Sequence, residues 1–344
     1  MKNILIALFA LSLLICVMGL SASAQILPVG NCIGQQQYCG ICGDSAAGFF
    51  NCVGEITILD ICNVMVWACA PADAAPEVRS FCKTGLANCT AGGPISLGDG
   101  NTYIKETDVQ IPGLGGGLVL DRTWNSLWPS TQTAFQVGIF GPNWRSNFEE
   151  RVFVGSDNYI KYARGDGTFW SFGYNGGVWL LAAPKTVTAT LVQGQSYWTL
   201  MFQNGEQRLF DNTSGNLIAI IDRNGNTIQV SYNALGYPST VRDPAGRTLS
   251  FTYGNPSFPA LVTSVTSSVG ISTSYSYDTE GRLTQVTEPD GSTYNFQYNT
   301  QSLITSVMDS QGVILESHTY DSNGRGLTSS RANGIEAVSV SYPN

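Results

Sequence analysis

Histidine is almost missing from this chain: there is one, His318, in 344 residues. That removes most metal sites and most histidine-based triads. His318 lies between Ser317 and Thr319 on a strand-like stretch, and it reads as a lining residue of a sheet rather than a base. Charge is scarce as well, at 12% of residues, with 25 acids against 17 bases and a net charge of −8. Such a chain repels a phosphate backbone, so nucleic acid is not an expected partner. No cysteine follows Cys89. The glycine run Gly113 to Gly117 has strand-like stretches on both sides and no Gly-Lys-Ser/Thr, so it reads as a turn rather than a phosphate loop. No cofactor or metal is expected. What the chain does have is 38 glycines, many Ser, Thr, Asn and Gln, and 43% hydrophobic residues. This is the composition of a turn-rich β protein with enough apolar surface for a core.

The first residues, Met1-Lys2-Asn3, are short and basic, and Ile4 to Leu20 is almost wholly apolar. Ser21-Ala22-Ser23-Ala24 then offers an Ala-x-Ala cleavage site before Gln25. That order is expected of a secretory signal peptide over residues 1–24, with no membrane span after its removal. The mature protein is expected to be secreted or held at the cell surface.

Eight of the nine cysteines (Cys32, Cys39, Cys42, Cys52, Cys62, Cys69, Cys82 and Cys89) fall in the segment that follows. An even number packed into a short exported segment reads as a set of disulfides whose pairing the sequence leaves open. Cys32 to Cys39, Cys62 to Cys69 and Cys82 to Cys89 are each seven apart, a spacing that returns to one face of a helix. The run Ile56 to Ala70 and the stretch after Pro76 also suit helices, so residues 25–93 are expected to form a small helical, disulfide-rich module. Cys39-Gly40-Ile41-Cys42 is a single Cys-x-x-Cys without a nearby histidine, which favours a disulfide over zinc or redox chemistry.

The dominant signal is a repeat. Phe210, Tyr232, Tyr253, Tyr277, Tyr298, Tyr320 and Tyr342 recur at intervals of 22, 21, 24, 21, 22 and 22 residues. Gly225, Gly246, Gly270, Gly291, Gly312 and Gly334 recur at 21, 24, 21, 21 and 22. Both series lengthen by the same three residues where Asn255 to Ala260 lies, so two independent markers share one insertion. Ile228, Val230 and Tyr232 alternate with Thr227, Gln229 and Ser231, as do Leu249, Phe251 and Tyr253 with Thr248, Ser250 and Thr252. These are strands with one apolar face. Asp222 to Gly225, Asp243 to Gly246, Asp278 to Gly281, Asp309 to Gly312 and Asp321 to Gly324 read as tight turns, with Asp at the first position and Gly at the fourth. Each unit is then two strands and two turns of an antiparallel meander. The spacing Leu283 to Val286 and Ile304 to Val307 breaks strict alternation, which implies a bulge.

Tyr277-Asp278-Thr279-Glu280-Gly281-Arg282-Leu283-Thr284-Gln285-Val286 resembles the unit of the Rhs/YD-repeat family, and Asp321-Ser322-Asn323-Gly324-Arg325 is a second, partial copy, with Gly326 where the family usually has Leu. Upstream, Gly98-Asp99-Gly100-Asn101, Leu120-Asp121-Arg122-Thr123-Trp124-Asn125 and Gly141-Pro142-Asn143-Trp144 resemble the domain that precedes the repeats in such proteins. The resemblance implies a mainly β fold, an antiparallel ribbon curving into a partial shell. In bacterial members of the polymorphic-toxin type such a shell can enclose a toxin, and some repeats are linked to carbohydrate binding. The chain stops at Asn344 within a unit, which reads as a short form without a toxin.

The expected organisation is a signal peptide at 1–24, a cysteine-rich module at 25–93, a β-rich pre-repeat domain at 94–200 and the YD-repeat array at 201–344. Trp124, Trp128, Trp144, Trp170, Trp179 and Trp198 crowd into the pre-repeat domain. They read chiefly as core, although Trp170, Trp179 and Trp198 with Tyr174 could stack against a glycan. Glu149-Glu150, expected to face opposite sides of one strand, do not make a convincing glycosidase pair. Arg164-Gly165-Asp166 reads as a turn. The expected function is an exported, non-enzymatic structural scaffold, at the cell surface or related to a toxin shell, whose partners are surface glycans or a toxin or effector. The rival readings are a carbohydrate-binding adhesin and, behind it, a glycan hydrolase.

Overall fold

The computed structural model describes residues 50–57, 65–71, 90–91, 95–96, 99–127, 137–155, 157–183, 187–332 and 334–342. The expected signal peptide and most of the cysteine module lie outside these residues, as does Trp128. In the described part of that module, β1 (Phe50–Thr57) pairs antiparallel with β2 (Met65–Pro71), and the register sets Cys52 opposite Cys69. The helix expected over Ile56 to Ala70 is therefore replaced by strand at both ends. Its Ile, Thr, Val and Trp residues favour a pleated backbone more than the cysteine spacing favours a helix.

The pre-repeat stretch supplies β3 (Thr90–Ala91), β4 (Ile95–Ser96), β5 (Tyr103–Ile111), β6 (Leu118–Asn125), β7 (Val137–Gly138), β8 (Gly141–Pro142) and β9 (Trp144–Ser146). Strands β5, β6 and β9 form a three-stranded sheet, with the glycine run making a 3-10 turn at Leu114–Gly116 between β5 and β6. Then follow β10 (Arg151–Val154), β11 (Ile160–Ala163), β12 (Phe169–Asn175), β13 (Val178–Ala183), β14 (Ala189–Gln193) and β15 (Tyr197–Phe202). The repeats form β16 (Gln207–Asp211), β17 (Leu217–Ile221), β18 (Thr227–Tyr232), β19 (Pro238–Arg242), β20 (Thr248–Tyr253), β21 (Val262–Ser267) and β22 (Ser272–Tyr277). They continue as β23 (Leu283–Thr287), β24 (Thr293–Tyr298), β25 (Ile304–Met308), β26 (Ile314–Tyr320), β27 (Gly326–Arg331) and β28 (Ile335–Ser339).

The described residues fall into two compact units. One contains Val152–Tyr162 and Trp170–Gln203; the other contains Glu77–Arg151, Ala163–Phe169 and the repeats from Asn204 onward. In the second unit the pre-repeat strands β5, β6 and β9 thus share one body with the repeats.

Within the repeats, each strand pairs antiparallel with its neighbours in chain order. Alternation selects the faces: Ile228, Val230, Leu249, Val265, Tyr275, Val286, Phe296 and Val307 are buried, while Gln229, Ser250, Ser274 and Gln297 are exposed. The expected turns close as read. Gly281 donates its N–H to the Asp278 carbonyl at 3.1 Å and sits at φ +76°, where only glycine is unstrained. The insertion forms its own turn, with the Asn255 carboxamide oxygen accepting the Ser257 and Phe258 N–H groups.

The expected bulge is present and recurs. Ser276 pairs with Gln285 but Tyr277 pairs with Leu283, leaving Thr284 as the extra residue. Ser239, Thr263, Thr305 and Leu327 occupy the same place in other repeats. An extra residue bends its strand locally and explains why Leu283 and Val286 point to one side.

Candidate functional site

The repeat tyrosines do more than fill space. Tyr232, Tyr253, Tyr277, Tyr298, Tyr320 and Tyr342 donate their hydroxyls to the carbonyls of Leu217, Pro238, Val262, Leu283, Ile304 and Gly326, at 2.6 to 2.7 Å. Each acceptor is the first residue of an odd-numbered strand, β17 to β27. For Tyr232 to Tyr320 the next odd strand begins with the residue that pairs with the tyrosine's own backbone; Tyr277, for example, pairs with Leu283 and reaches back to Val262. Each side chain therefore ties one repeat to the one before it. Burial is the first cause that pushes the phenols of Tyr232, Tyr253, Tyr277, Tyr298 and Tyr320 upward, so they stay protonated as donors.

The aspartates of the unit hold its turns. The Asp278 carboxylate accepts the N–H groups of Glu280 and Arg282 and the Arg282 Nε at 2.7 Å. Asp321 does the same with Asn323 and Arg325. Arg282 then lies over the Tyr298 ring at 5.0 Å, and Arg325 over Tyr342 at 4.3 Å. One repeat's turn arginine thus covers the next repeat's tyrosine. These carboxylates are spent on backbone geometry.

The buried face of the repeat sheet carries the pre-repeat strands. Trp144 meets Phe296 at 5.4 Å, Phe140 meets Tyr275 at 4.9 Å, Phe148 meets Phe251 at 6.4 Å and Trp124 meets Tyr320 at 6.4 Å, all edge to face. Backbone bonds fasten the same contact: Val262 N–H to the Ile139 carbonyl and Gly326 N–H to the Gly100 carbonyl, both 2.8 Å.

A polar knot lies in this core. Arg122 Nε reaches both oxygens of Asp108, at 2.9 and 2.7 Å, and both side chains are fully buried. The Tyr275 hydroxyl donates to the same carboxylate at 2.8 Å, and the Thr273 hydroxyl donates to the Asp108 carbonyl at 3.1 Å. The guanidinium stacks on Trp144, 4.5 Å from the ring centre. Burial is the largest single cause and would lower the Arg122 pKa, but the Asp108 charge and hydrogen bond, with Tyr275 and Glu106, together outweigh it and raise it. Sequence reasoning did not single out this cluster. The available signal was an aspartate and an arginine on inward positions of two adjacent strands.

The candidate glycan residues all lie in the other unit. Tyr174 meets Trp179 at 5.2 Å and Trp179 meets Trp198 at 6.1 Å, so these three form one row. Trp170 stands apart between Tyr162 and Phe202. Trp170 and Trp198 are buried, whereas Tyr174 and Trp179 are half-buried. Glu149 and Glu150 do not share a strand as expected; they form the bend between β9 and β10. The carbonyl of Ser146 accepts the Glu149 N–H there, which ends β9. Arg164-Gly165-Asp166 is a turn, with Gly167 N–H bonded to the Arg164 carbonyl at 3.0 Å. It opens onto a cleft of about 480 Å³ also lined by Tyr103, Lys105 and Asp121. His318 is buried on β26, with Nε2 3.5 Å from a Glu316 oxygen. Among the described residues no group of three or more His, Cys, Asp or Glu is placed to hold a metal ion, and no helix is long and apolar enough to cross a membrane.

Two stretches of the chain match known families. Residues 92–172 match a domain of unknown function (DUF6531), and residues 198–333 match the Teneurin YD-shell family. The tRNA nuclease WapA of Bacillus subtilis (strain 168) is 28% identical over 142 residues, which is 41% of this chain and 6% of that protein. The tRNA3(Ser)-specific nuclease WapA of Bacillus spizizenii is 29% identical over the same extent. The chain thus spans only a small part of the length of these relatives. Among solved structures, the TcdB2–TccC3–TEV crystal structure is similar with a TM-score of 0.28 and 14% identity, over 66% of this chain and 12% of that one. A TcdB2–TccC3 crystal structure gives 0.20 and 10%, over 70% and 20%. With its tyrosine-and-aspartate unit repeated through β16 to β28 and its match over residues 198–333, the repeat part of the chain is similar to the YD shell of the Rhs/YD-repeat family.

Proposed function

We propose that this protein is an exported structural scaffold, working at the cell surface or beside a toxin or effector partner, with no catalytic activity of its own. The observation that carries the reading is the use made of the repeat sheet's buried face. Trp124, Phe140, Trp144 and Phe148 of the same chain pack there, and the Arg122–Asp108 pair locks them to Tyr275. A face used in this way serves shape and rigidity. The turn carboxylates support the same view, since Asp278 and Asp321 are saturated by backbone and arginine donors rather than aimed at a substrate. The nuclease activity named for the Bacillus relatives is not extended to this chain, because the alignment reaches 6% of their length. The test is to incubate the purified full chain with polysaccharide, peptide and tRNA. No turnover is expected, and any turnover that survives purification to homogeneity would contradict the proposal. Sequencing the N-terminus of the exported protein tests the address: it should begin at Gln25.

A second reading, a carbohydrate-binding adhesin, is favoured by the row Tyr174–Trp179–Trp198, two of whose rings are half-exposed. A glycan array probed with the full chain and with Trp179→Ala addresses it. Binding lost in the variant would support the adhesin, and an array without signal would remove it.

A further inference from the structure

One slot of the repeat recurs two residues before the tyrosine, at Val230, Phe251, Tyr275, Phe296 and His318, and all five side chains are buried. Phe251, Tyr275 and Phe296 fill it with rings that meet Phe148, Phe140 and Trp144 of the pre-repeat stretch. His318 puts the chain's one imidazole into the same slot, with 2% of its surface exposed. Neither ring nitrogen has a hydrogen-bond partner among the described residues. The Ser329 hydroxyl, directly opposite on β27, and the Glu316 Oε2 atom are buried without one as well. Polar atoms left in this way are rare in a core, and a cluster of them calls for a physical cause.

The charges around the ring supply one. On β26 itself, Glu316 places Oε2 3.5 Å from His318 Nε2, and the Tyr320 ring lies 6.5 Å away. From β27, the half-exposed Arg331 reaches the other Glu316 oxygen at 3.3 Å and is shared with Glu336 of β28 at 3.9 Å. Strand β25, on the other side, carries no charged residue. From β5, Glu106 feels the Glu316 carboxylate. Burial first, then the Asp108 and Glu316 charges, push the Glu106 carboxyl upward against the pull of Arg122. Two acids thus repel across the join of β5 with β26, and beside them stands a ring with a nitrogen free to take a proton.

We propose that His318 is an acid-operated clasp: protonation of its ring gives Glu316 a charged donor and offsets the repulsion between Glu316 and Glu106, so the join of β26 with β5 tightens as pH falls and slackens as it rises. Burial opposes a charged ring, and the two carboxylates favour it. A ring that holds its proton more tightly in the folded chain than in the unfolded one stabilises below its titration, and that contribution is lost as pH rises through it. The clasp goes beyond the scaffold reading and does not depend on it.

Because the chain has one histidine, NMR of the labelled full chain follows a single imidazole. Titration of that ring between pH 5 and 8 is expected, with proton affinity weakened tenfold or more in Glu316→Gln. Amide hydrogen exchange across β26 and β27, corrected for its intrinsic pH dependence, should show severalfold greater protection at pH 5 than at pH 8. His318→Phe, which installs the ring that β20 and β24 carry in this slot, should abolish that difference. A ring that keeps one protonation state across the range overturns the proposal, as does unchanged proton affinity in a folded Glu316→Gln. Should that variant fail to fold, His318→Phe decides: loss of the protection difference supports the clasp, and its persistence overturns it.

Discussion

Tyr277 donates its hydroxyl to the Val262 carbonyl at 2.7 Å, while its backbone pairs with Leu283 on the other side. One residue thereby touches the opening residues of two successive odd strands. Removing only the hydroxyl, as in Tyr277→Phe, leaves the ring packed and the carbonyl short of a donor. A loss of about 1 kcal/mol is expected from a hydrogen bond of this kind. Urea unfolding should show a lower midpoint with an unchanged slope, and an unaltered midpoint would remove the stapling role.

Arg122 and Asp108 are both fully buried, and each is the other's counter-charge. Asp108→Ala strands a guanidinium in the core and should cost about 3–5 kcal/mol. Replacing both partners, Arg122→Met with Asp108→Leu, removes the stranded charge and should recover most of that loss. Thermal melts of the two variants check the order; a double variant less stable than Asp108→Ala would contradict it.

Two turn glycines separate strain from crowding. Gly281 and Gly291 both have positive φ, +76° and +87°. A Cβ at Gly281 would lie 3.1 Å from the Phe258 ring, whereas one at Gly291 meets nothing within 4 Å. Gly291→Ala should therefore cost the backbone strain of about 1 kcal/mol, and Gly281→Ala visibly more. Equal midpoints in parallel denaturation curves would show that the insertion does not press on this turn.

Glu288 predicts a pH dependence. Burial, then the nearby Asp108 and Glu106 carboxylates, raise it to about 7 against the pull of Arg122. A raised carboxyl favours the folded state while protonated, so its contribution is complete below its ordinary 4.5 and is lost as pH rises through about 7. Asp278 and Asp321 behave in the opposite sense. Burial raises them, but the hydrogen bonds from their arginines and turn amides outweigh it, so their contribution is lost only as pH falls below the ordinary 3.8. Melting temperature should therefore decline between pH 5 and 8 in the native chain. In Glu288→Gln that decline should flatten, and a decline of equal slope would refute the assignment.

The repeats were legible because their chemistry is local and periodic. Tyr, Asp and Gly recur at fixed offsets, and each acts on backbone within its own unit or the adjacent one. The bulge at Thr284 was visible for the same reason, as a break in alternation between Leu283 and Val286. The Asp108–Tyr275 bond was not visible, since its partners lie 167 residues apart and no spacing rule joins them. Glu149 and Glu150 looked like strand residues because Phe148 and Val152 flank them with apolar side chains. The Ser146–Glu149 bonds that make the bend leave no mark in composition. The seven-residue cysteine spacing suggested a helix where β2 forms, because one spacing shared by few residues is weaker than the preferences of the residues between them.

The central claim is that the pre-repeat strands fill the buried face of the repeat sheet, and the contact of Trp144 with Phe296 at 5.4 Å reports on it most directly. A double-mutant cycle with Trp144→Leu, Phe296→Leu and the combined variant, read by urea denaturation, measures whether the two rings interact. A coupling energy of about 0.5–1.5 kcal/mol is predicted for an edge-to-face pair. Single losses that simply add, to within about 0.3 kcal/mol, would mean that the two segments do not pack together.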